Sequence, residues 1–236
     1  MARTPLWRSI ADSLLGDISN GRYGPGDKLP TEAQLSARFD VNRHTVRRAL
    51  AELADAGLVD PRRGSGVYVA ERQTDYPVGR RTRFHTGIAA AGRDGEKRIL
   101  GIDTRAADRE EAAALDLDPG APIHVVHGLL LADGKPIGLF QSAFPADRLP
   151  GLPAALKHTT SVTRALAACG VPDYTRRATR LTAKTAKPVQ ARHLKIAEGA
   201  PVLRSVSVNI DPAGRPVEYG RTWFAGDRVT LTLGDG

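Results

Sequence analysis

The sequence predicts an α+β protein in two parts: a small three-helix unit that ends in a two-stranded wing, then a larger unit built on one antiparallel sheet with helices. Three observations predict this. Residues 6–56 place apolar side chains at helical spacing, and residues 58–70 then switch to short apolar runs around a glycine turn. Residues 71–85, "ERQTDYPVGRRTRFH", have no apolar period and hold Pro77, Gly79 and four arginines, which reads as a linker. Beyond it, Leu115–Gly138 and Leu194–Glu218 repeat one another. The division expected is therefore 1–70, a linker over 71–85, and 86–236.

Each element follows from local chemistry. Leu6, Ile10, Leu14 and Ile18 recur at helical spacing, and Asn20-Gly21 ends that helix. "YGPGDKLP" is a turn-rich connection. Thr31 with Gln34 three residues on is a capping box, opening a short helix over roughly Glu32 to Phe39 with Leu35 and Phe39 inward. Asp40-Val41-Asn42 turns the chain into a third helix from about Arg43 to Ala56, whose apolar face is Val46, Leu50, Leu53 and Ala54 and which Gly57 stops. "LVDPRRGSGVYVA" reads as two strands joined by a basic glycine turn. In the larger part, each repeat copy has Gly-Ala-Pro before a strand, an Asp-containing turn, and Gly-Lys-Pro-Ile or Gly-Arg-Pro-Val opening the return strand. Gly-Ala-Pro recurs at an offset of 79 and the second motif at 80, so one residue is inserted between them. A helix precedes each copy, the first capped by Asp108 with Glu111 and the second opened by Pro188. Two β-α-β-β units make one antiparallel sheet with helices on one side, and the cleft between the halves is a natural ligand site.

Composition narrows the function. The chain has 236 residues, 41% of them hydrophobic, enough for a buried core. No apolar run reaches membrane-spanning length, and the first residues lack the apolar stretch of a signal peptide. One cysteine, Cys169, excludes an internal disulfide framework and fits a reducing cytoplasm. The net charge of +8 points to an anionic partner. Residues 1–75 hold 11 Lys and Arg against 10 Asp and Glu, so most of the excess lies beyond them. Nucleic-acid binding by the first part would rest on local clustering, not bulk charge.

That clustering is present. A short helix, a tight turn and a second helix with a polar start form a helix-turn-helix, whose second helix enters the major groove by its N-terminal residues. Asn42, Arg43, His44, Thr45 and Arg47 stand there. Arginine bonds guanine bidentately, and the others bond bases or phosphates. Arg48 lies about 100° round the helix from Arg47, so the two contact different things. Arg62 and Arg63 sit on the wing turn, which Gly64 and Gly66 allow to bend tightly toward the backbone or minor groove.

The run "KLPTEAQLSARFDVNRHTVRRALAELADAGLVDPRRGSGVYV" resembles the winged helix-turn-helix of the GntR family of bacterial transcription regulators. The resemblance implies base and phosphate contacts at Asn42, Arg43, His44, Thr45, Arg47, Arg63 and Gly64. It departs at Ala33, where family members often carry a DNA-contacting arginine. The remainder resembles the effector-binding (UTRA) domain of the HutC subfamily, which has the chorismate lyase fold. The motifs are "RTRFHTGIAAAG", "GAPIHVVHGLLLADGKPIGLFQSAFP" and "GRPVEYGRTWFAGDRVTLTL". "TRF" and "WFAGDRV" are most similar to PhnF-type regulators of phosphonate uptake and use. This implies a pocket at Arg83, Phe84, His85, Ser161, Thr163, Arg176, Glu218 and Arg221. An arginine pair that many members carry is replaced by Gly128 and Leu130, and a glutamate by Phe140.

Independently, Tyr174–Ala197 carries seven basic residues and no acid. Cations there, together with Arg83, would hold an anionic effector, and Ser161 at a helix start would help with an oxyanion. Catalysis is not expected. The histidines are scattered, and His124 and His127 on one strand point to opposite faces and cannot share a metal. No nucleophile elbow or phosphate-cradling loop appears. The expectation is thus a homodimeric, cytoplasmic repressor without a cofactor or membrane contact. It would bind double-stranded operator DNA and respond to a small phosphate- or phosphonate-like anion, with a non-phosphorylated carboxylate or sugar as the alternative effector. The linker, ending in Arg83 to His85, would carry the switch.

Overall fold

The computed structural model describes residues 5–70, 73–81 and 84–233, and the His85 side chain lies outside this description. The chain divides into two compact units, 1–72 and 73–236. In the first, α1 (Leu6–Ser19), α2 (Glu32–Phe39) and α3 (Arg43–Asp55) close on a core of Ile10, Leu14, Leu35, Val46, Leu50 and Leu53. Val59 and Val69, from the antiparallel strands β1 (Val59–Arg62) and β2 (Gly66–Val69), complete that core. The Thr31–Gln34 capping box is formed, with the Gln34 amide donating to Thr31 Oγ1 at 3.3 Å. Asp40 ends α2 in the left-handed conformation, φ 52°, which turns the chain into α3 within three residues. The "YGPGDKLP" connection is more ordered than a turn: Leu29 N donates to Val67 O and Val69 N to Asp27 O, both at 2.8 Å, laying it against β2. At Gly66, φ 113°, an added Cβ would stand 2.7 Å from Lys28 Cε, so glycine there serves both the bend and the close approach.

The second unit is a six-stranded antiparallel sheet in the order β4-β5-β6-β9-β8-β7. Its strands are β4 (Gly95–Ala106), β5 (Pro122–Ala132), β6 (Lys135–Pro145), β7 (Thr175–Thr185), β8 (Pro201–Ile210) and β9 (Pro216–Ala225). The duplication is visible as two β-α-β-β halves joined at β6 and β9, with α5 (Arg109–Leu115) and α8 (Pro188–Leu194) as equivalent helices. Asp116 and Lys195, 79 residues apart, end these helices at φ 54° and φ 53°.

Helices cover both faces of this sheet, not one. Ile123, Val125, Ala143 and Tyr219 pack with Ala112 and Leu115 of α5, and Leu139 and Trp223 with Leu194 of α8. The alternate residues Val126, Phe140, Phe144 and Phe224 pack with Leu152, Leu156, Val162 and Leu166. The latter come from α6 (Leu152–His158) and α7 (Val162–Ala168), which lie in the segment between the repeats and so escaped a two-layer expectation drawn from the repeats alone. α4 (Phe84–Ala90) joins this face through Phe84 and Ile88.

Part of the expected linker is structured. Residues Thr74–Pro77 form β3, which pairs in parallel with β10 (Val229–Thr232). Arg80 O accepts from Arg176 N at 2.8 Å, and Arg81 pairs with Asp173. The partners lie about 100 or more residues further along the chain, so no local period announces the strand.

Candidate DNA-reading surface and ligand cavity

In the first unit the opening of α3 is exposed. Asn42 is its N-cap, and Asn42 Oδ1 accepts from Thr45 N at 2.9 Å and Thr45 Oγ1 at 3.0 Å. These two residues thus shape the helix start, while Arg43 and His44 project from an exposed turn. Arg47 donates two bonds to Glu32 of α2, Nε to Oε1 at 3.2 Å and Nη2 to Oε2 at 2.9 Å. Arg48 leaves that surface, with its guanidinium 4.7 Å from the Trp7 ring centroid of α1. On the wing, Arg62 lies 4.4 Å from the Tyr68 ring centroid and bonds Asp60 at 3.0 Å. Arg63 is exposed on the turn, and Gly64 takes φ 74°. Among the exposed basic groups of this unit are the start of α3, the Arg47–Glu32 pair and the wing tip.

The second unit holds a cavity of about 300 Å³ on the α7 side of the sheet, with a wall from each half. Of the expected residues, Phe84, Ser161, Thr163, Arg176 and Glu218 line it. Arg83 and the His85 side chain fall outside the described residues. Arg221 does not reach the cavity: it points to the α5 side and donates to Glu111 at 2.7 Å. Glu218 and Arg221 are three apart on one strand and must face opposite ways, the same parity that separates His124 from His127.

Glu218 is the cavity's carboxylate and is already engaged, accepting from Ser142 Oγ at 2.6 Å and Asn209 Nδ2 at 2.7 Å. Arg176 Nε reaches Asn209 Oδ1 at 3.4 Å. Thr163 Oγ1 and Tyr174 Oη share a hydrogen bond of 2.8 Å. Ser161 Oγ accepts from Arg164 N at 3.3 Å, so it works first as the cap of α7. Burial pushes the Tyr76 phenol up to about 12, which keeps it a neutral donor.

Lys97 is the residue that sequence reasoning missed. It lines the cavity from β4, with Nζ 4.8 Å from the Phe140 ring centroid. Burial pushes its ammonium below the ordinary lysine range, with Glu218 opposing the shift and Arg176 adding to it. The repeat could have found it: Lys97 pairs across strands with Leu130, and Arg176, 79 residues on, pairs with Asn209, 79 residues on from Leu130. The two cations are equivalent positions of the duplicated unit. A Cβ at Gly128 would lie 2.2 Å from the Arg98 backbone O and 2.8 Å from the Phe140 ring, so this position has no room for a side chain. Of the basic run from 174 to 197, Arg176 lines the cavity. Arg177, Arg180, Lys184 and the α8 cations do not.

A helix-turn-helix with a basic wing, carried on the same chain as a separate unit with a polar cavity, defines the class of effector-responsive transcription regulators. Residues 6–69 match the bacterial regulatory proteins of the gntR family, and residues 90–230 match the UTRA domain. An uncharacterized HTH-type transcriptional regulator, RB1450 of Rhizobium meliloti (strain 1021), is 42% identical over 97% of this chain and 94% of its own length. The HTH-type transcriptional repressor PhnF of Mycolicibacterium smegmatis is 30% identical over 88% of this chain and 84% of its own. The crystal structure of PhnF from Mycobacterium smegmatis superposes with a TM-score of 0.68 at 28% identity, over 97% of this chain and 98% of that one. The mannosyl-D-glycerate transport/metabolism system repressor MngR of Escherichia coli (strain K12) is 28% identical over 99% of this chain and 97% of its own length. The chain belongs to the GntR family, HutC subfamily, with a GntR helix-turn-helix and a UTRA effector domain, and is homologous to the PhnF regulators. No described helix is long and apolar enough to cross a membrane.

Proposed function

We propose that this regulator is a homodimeric repressor of palindromic operator DNA, released or retained by a small anion of the phosphate or phosphonate class in the UTRA cavity. The DNA-reading residues are Asn42, Arg43, His44, Thr45 and Arg47 at the start of α3, with Arg62, Arg63 and Gly64 on the wing. Residues 1–70 read the DNA. The rest of the chain holds the effector and the dimer contact.

The observation that carries the anion reading is the cavity's charge balance. Lys97 and Arg176 face a single carboxylate, Glu218, whose two oxygens are both taken by Ser142 and Asn209. Neither cation forms an ion pair among the described residues. Two partly desolvated cations against one carboxylate leave one positive charge unbalanced, which is costly, and a bound anion removes that cost. The hydroxyls of Ser205, Ser207, Thr222 and Tyr76 line the same cavity and add donors around it. The resemblance to PhnF-type regulators supports the phosphonate reading, and the relative MngR, named for mannosyl-D-glycerate, supplies the second effector chemistry to compare.

Thermal-shift measurements on the intact protein test this with phosphate, alkylphosphonates, sugar phosphates, size-matched carboxylates and neutral sugars. Phosphate- or phosphonate-bearing ligands should raise the midpoint, and the Arg176→Ala change should abolish the rise. Stabilisation by carboxylates alone would replace the phosphonate reading with the carboxylate one. Stabilisation by neutral sugars alone would remove the anion reading. In the switch proposed for the linker, Arg83→Ala lowers the effector response and leaves effector-free operator affinity nearly unchanged, as a DNA titration at several ligand concentrations would read out.

A further inference from the structure

The Arg47–Glu32 pair is placed where the DNA-reading assignment above has no use for an acid. Glu32 is the first residue of α2 and Arg47 lies one turn into α3, so the pair bridges the two helices of the helix-turn-helix. Both carboxylate oxygens are used, and the guanidinium is met in its own plane along the Nε–Nη2 edge. The contact is not a fastening for the fold. The Arg47 side chain is 64% exposed and Glu32 35%, and ion pairs so placed contribute little to stability. Arg47 also holds the Glu32 carboxyl below the usual range, with the nearby charges of Arg43 and His44 adding to it, so the acid stays ionised on this basic surface.

We propose that Glu32 is a specificity-determining residue of the DNA-reading surface, which acts by fixing which edge of Arg47 can meet a base. This rests on the DNA-binding reading of α3. A guanidinium has five N–H donors. Glu32 takes one on Nε and one on Nη2, leaving both on Nη1 and the second on Nη2. Those remaining donors form the end-on edge, and a bidentate contact to guanine O6 and N7 needs two such parallel donors. An unclamped arginine reaches guanine, a phosphate or several bases by rotating about its side-chain bonds, and loses that freedom on binding. A clamped one presents a single edge in one direction. The carboxylate adds a second effect, because it faces a polyanion and disfavours every docking in which Arg47 does not return the cost as a base contact. Neighbouring side chains leave this role to Glu32: Ala33 has no reach, and Gln34 Oε1 is held by Thr31 N at 2.8 Å. Arg43, without an ion pair among the described residues, is the arginine left free to adapt.

The test uses the intact protein. A random duplex library is selected with the wild type to define the operator, and affinities are then measured for that operator, for its single-base-pair variants and for random DNA. Glu32→Ala should lose about tenfold of discrimination at one G·C pair in each half-site, while random DNA is bound at least as tightly as before. Glu32→Gln, which keeps one acceptor, should fall between. In an Arg47→Ala background, Glu32→Ala should change discrimination no further. Unchanged discrimination in Glu32→Ala, or an additive loss in the double variant, overturns the proposal. So does a parallel loss on all DNA in Glu32→Gln with a lowered thermal midpoint, which would mark a structural role. If the wild type selects no sequence at all, the DNA-reading assignment fails first and the proposal with it.

Discussion

At the scale of single residues, the three arginines of α3 do three different things. Arg43 is exposed and unpaired among the described residues, Arg47 is clamped by Glu32, and Arg48 lies on Trp7. Arg43→Ala should therefore weaken operator binding by about 1–3 kcal/mol and random DNA by less, in an anisotropy titration. Arg48→Ala should leave operator affinity nearly unchanged and instead lower the stability of the first unit by about 0.5–1 kcal/mol, read by chemical denaturation. Arg63, at the wing tip, should behave as a phosphate contact, its alanine variant weakening all sequences alike and reducing the salt slope by about 1. The sequence shows that the arginines are there and that Arg48 is turned from Arg47. It does not show what they touch, because Trp7 is 41 residues before Arg48 and Glu32 sits on another helix. Lys97 was hidden for the same reason: its seat over Phe140 is made by β4, β5 and β6 together.

At the scale of elements, local rules carried far. The Thr31–Gln34 and Asp108–Glu111 capping boxes, the glycine stops and the repeat offsets of 79 and 80 are written in adjacent residues, and the corresponding elements form where those residues stand. Strand parity was equally legible and separates Arg221 from Glu218. The structure gives Arg221 a different task. Glu111, buried at the start of α5, accepts from Arg105 at 2.7 and 2.8 Å, from Arg221 at 2.7 Å and from Asp108 N at 3.0 Å, which ties α5 to β4 and β9. Burial alone would raise the Glu111 carboxyl, but the Arg105 hydrogen bonds, the Asp108 amide and the charges of both arginines outweigh it, and it lies below its ordinary value of 4.5. A carboxyl lowered on folding contributes stability that is complete above its unfolded value and is lost as pH falls through the folded one. The second unit should therefore lose stability on acidification below about pH 4.5, and Glu111→Gln should make that limb shallower in a series of thermal melts. At neutral pH, Glu111→Gln should cost on the order of 3 kcal/mol, the low end for breaking a buried pair, since Arg105 is partly exposed.

At the scale of the whole molecule, two compact units divide the work between reading DNA and holding a ligand. Most of the excess positive charge lies outside the DNA-reading part, where it cannot stand in for base contacts. A palindromic operator requires two copies, so sedimentation at micromolar concentration should show a dimer, and a monomer that stays single on DNA would contradict the proposed assembly. The division into two parts and the duplicated sheet were legible because periodicity and repetition run along the chain. The pairing of β3 with β10 was not, because Thr230 Oγ1 donates to Gln73 Oε1 across 157 residues and no window contains both. The central claim is that an anion in the cavity of Lys97 and Arg176 controls DNA binding, and a ligand does so only through its differential affinity for two states. The most direct test is an anisotropy titration of the operator with intact protein, with and without a saturating phosphonate or phosphate ligand, for the wild type and Arg176→Ala. The ligand should change wild-type operator affinity by about 5–150-fold, while Arg176→Ala should bind the operator as tightly as ligand-free wild type and show no response. A full response in Arg176→Ala, or an equal response of the wild type to neutral ligands, would contradict it.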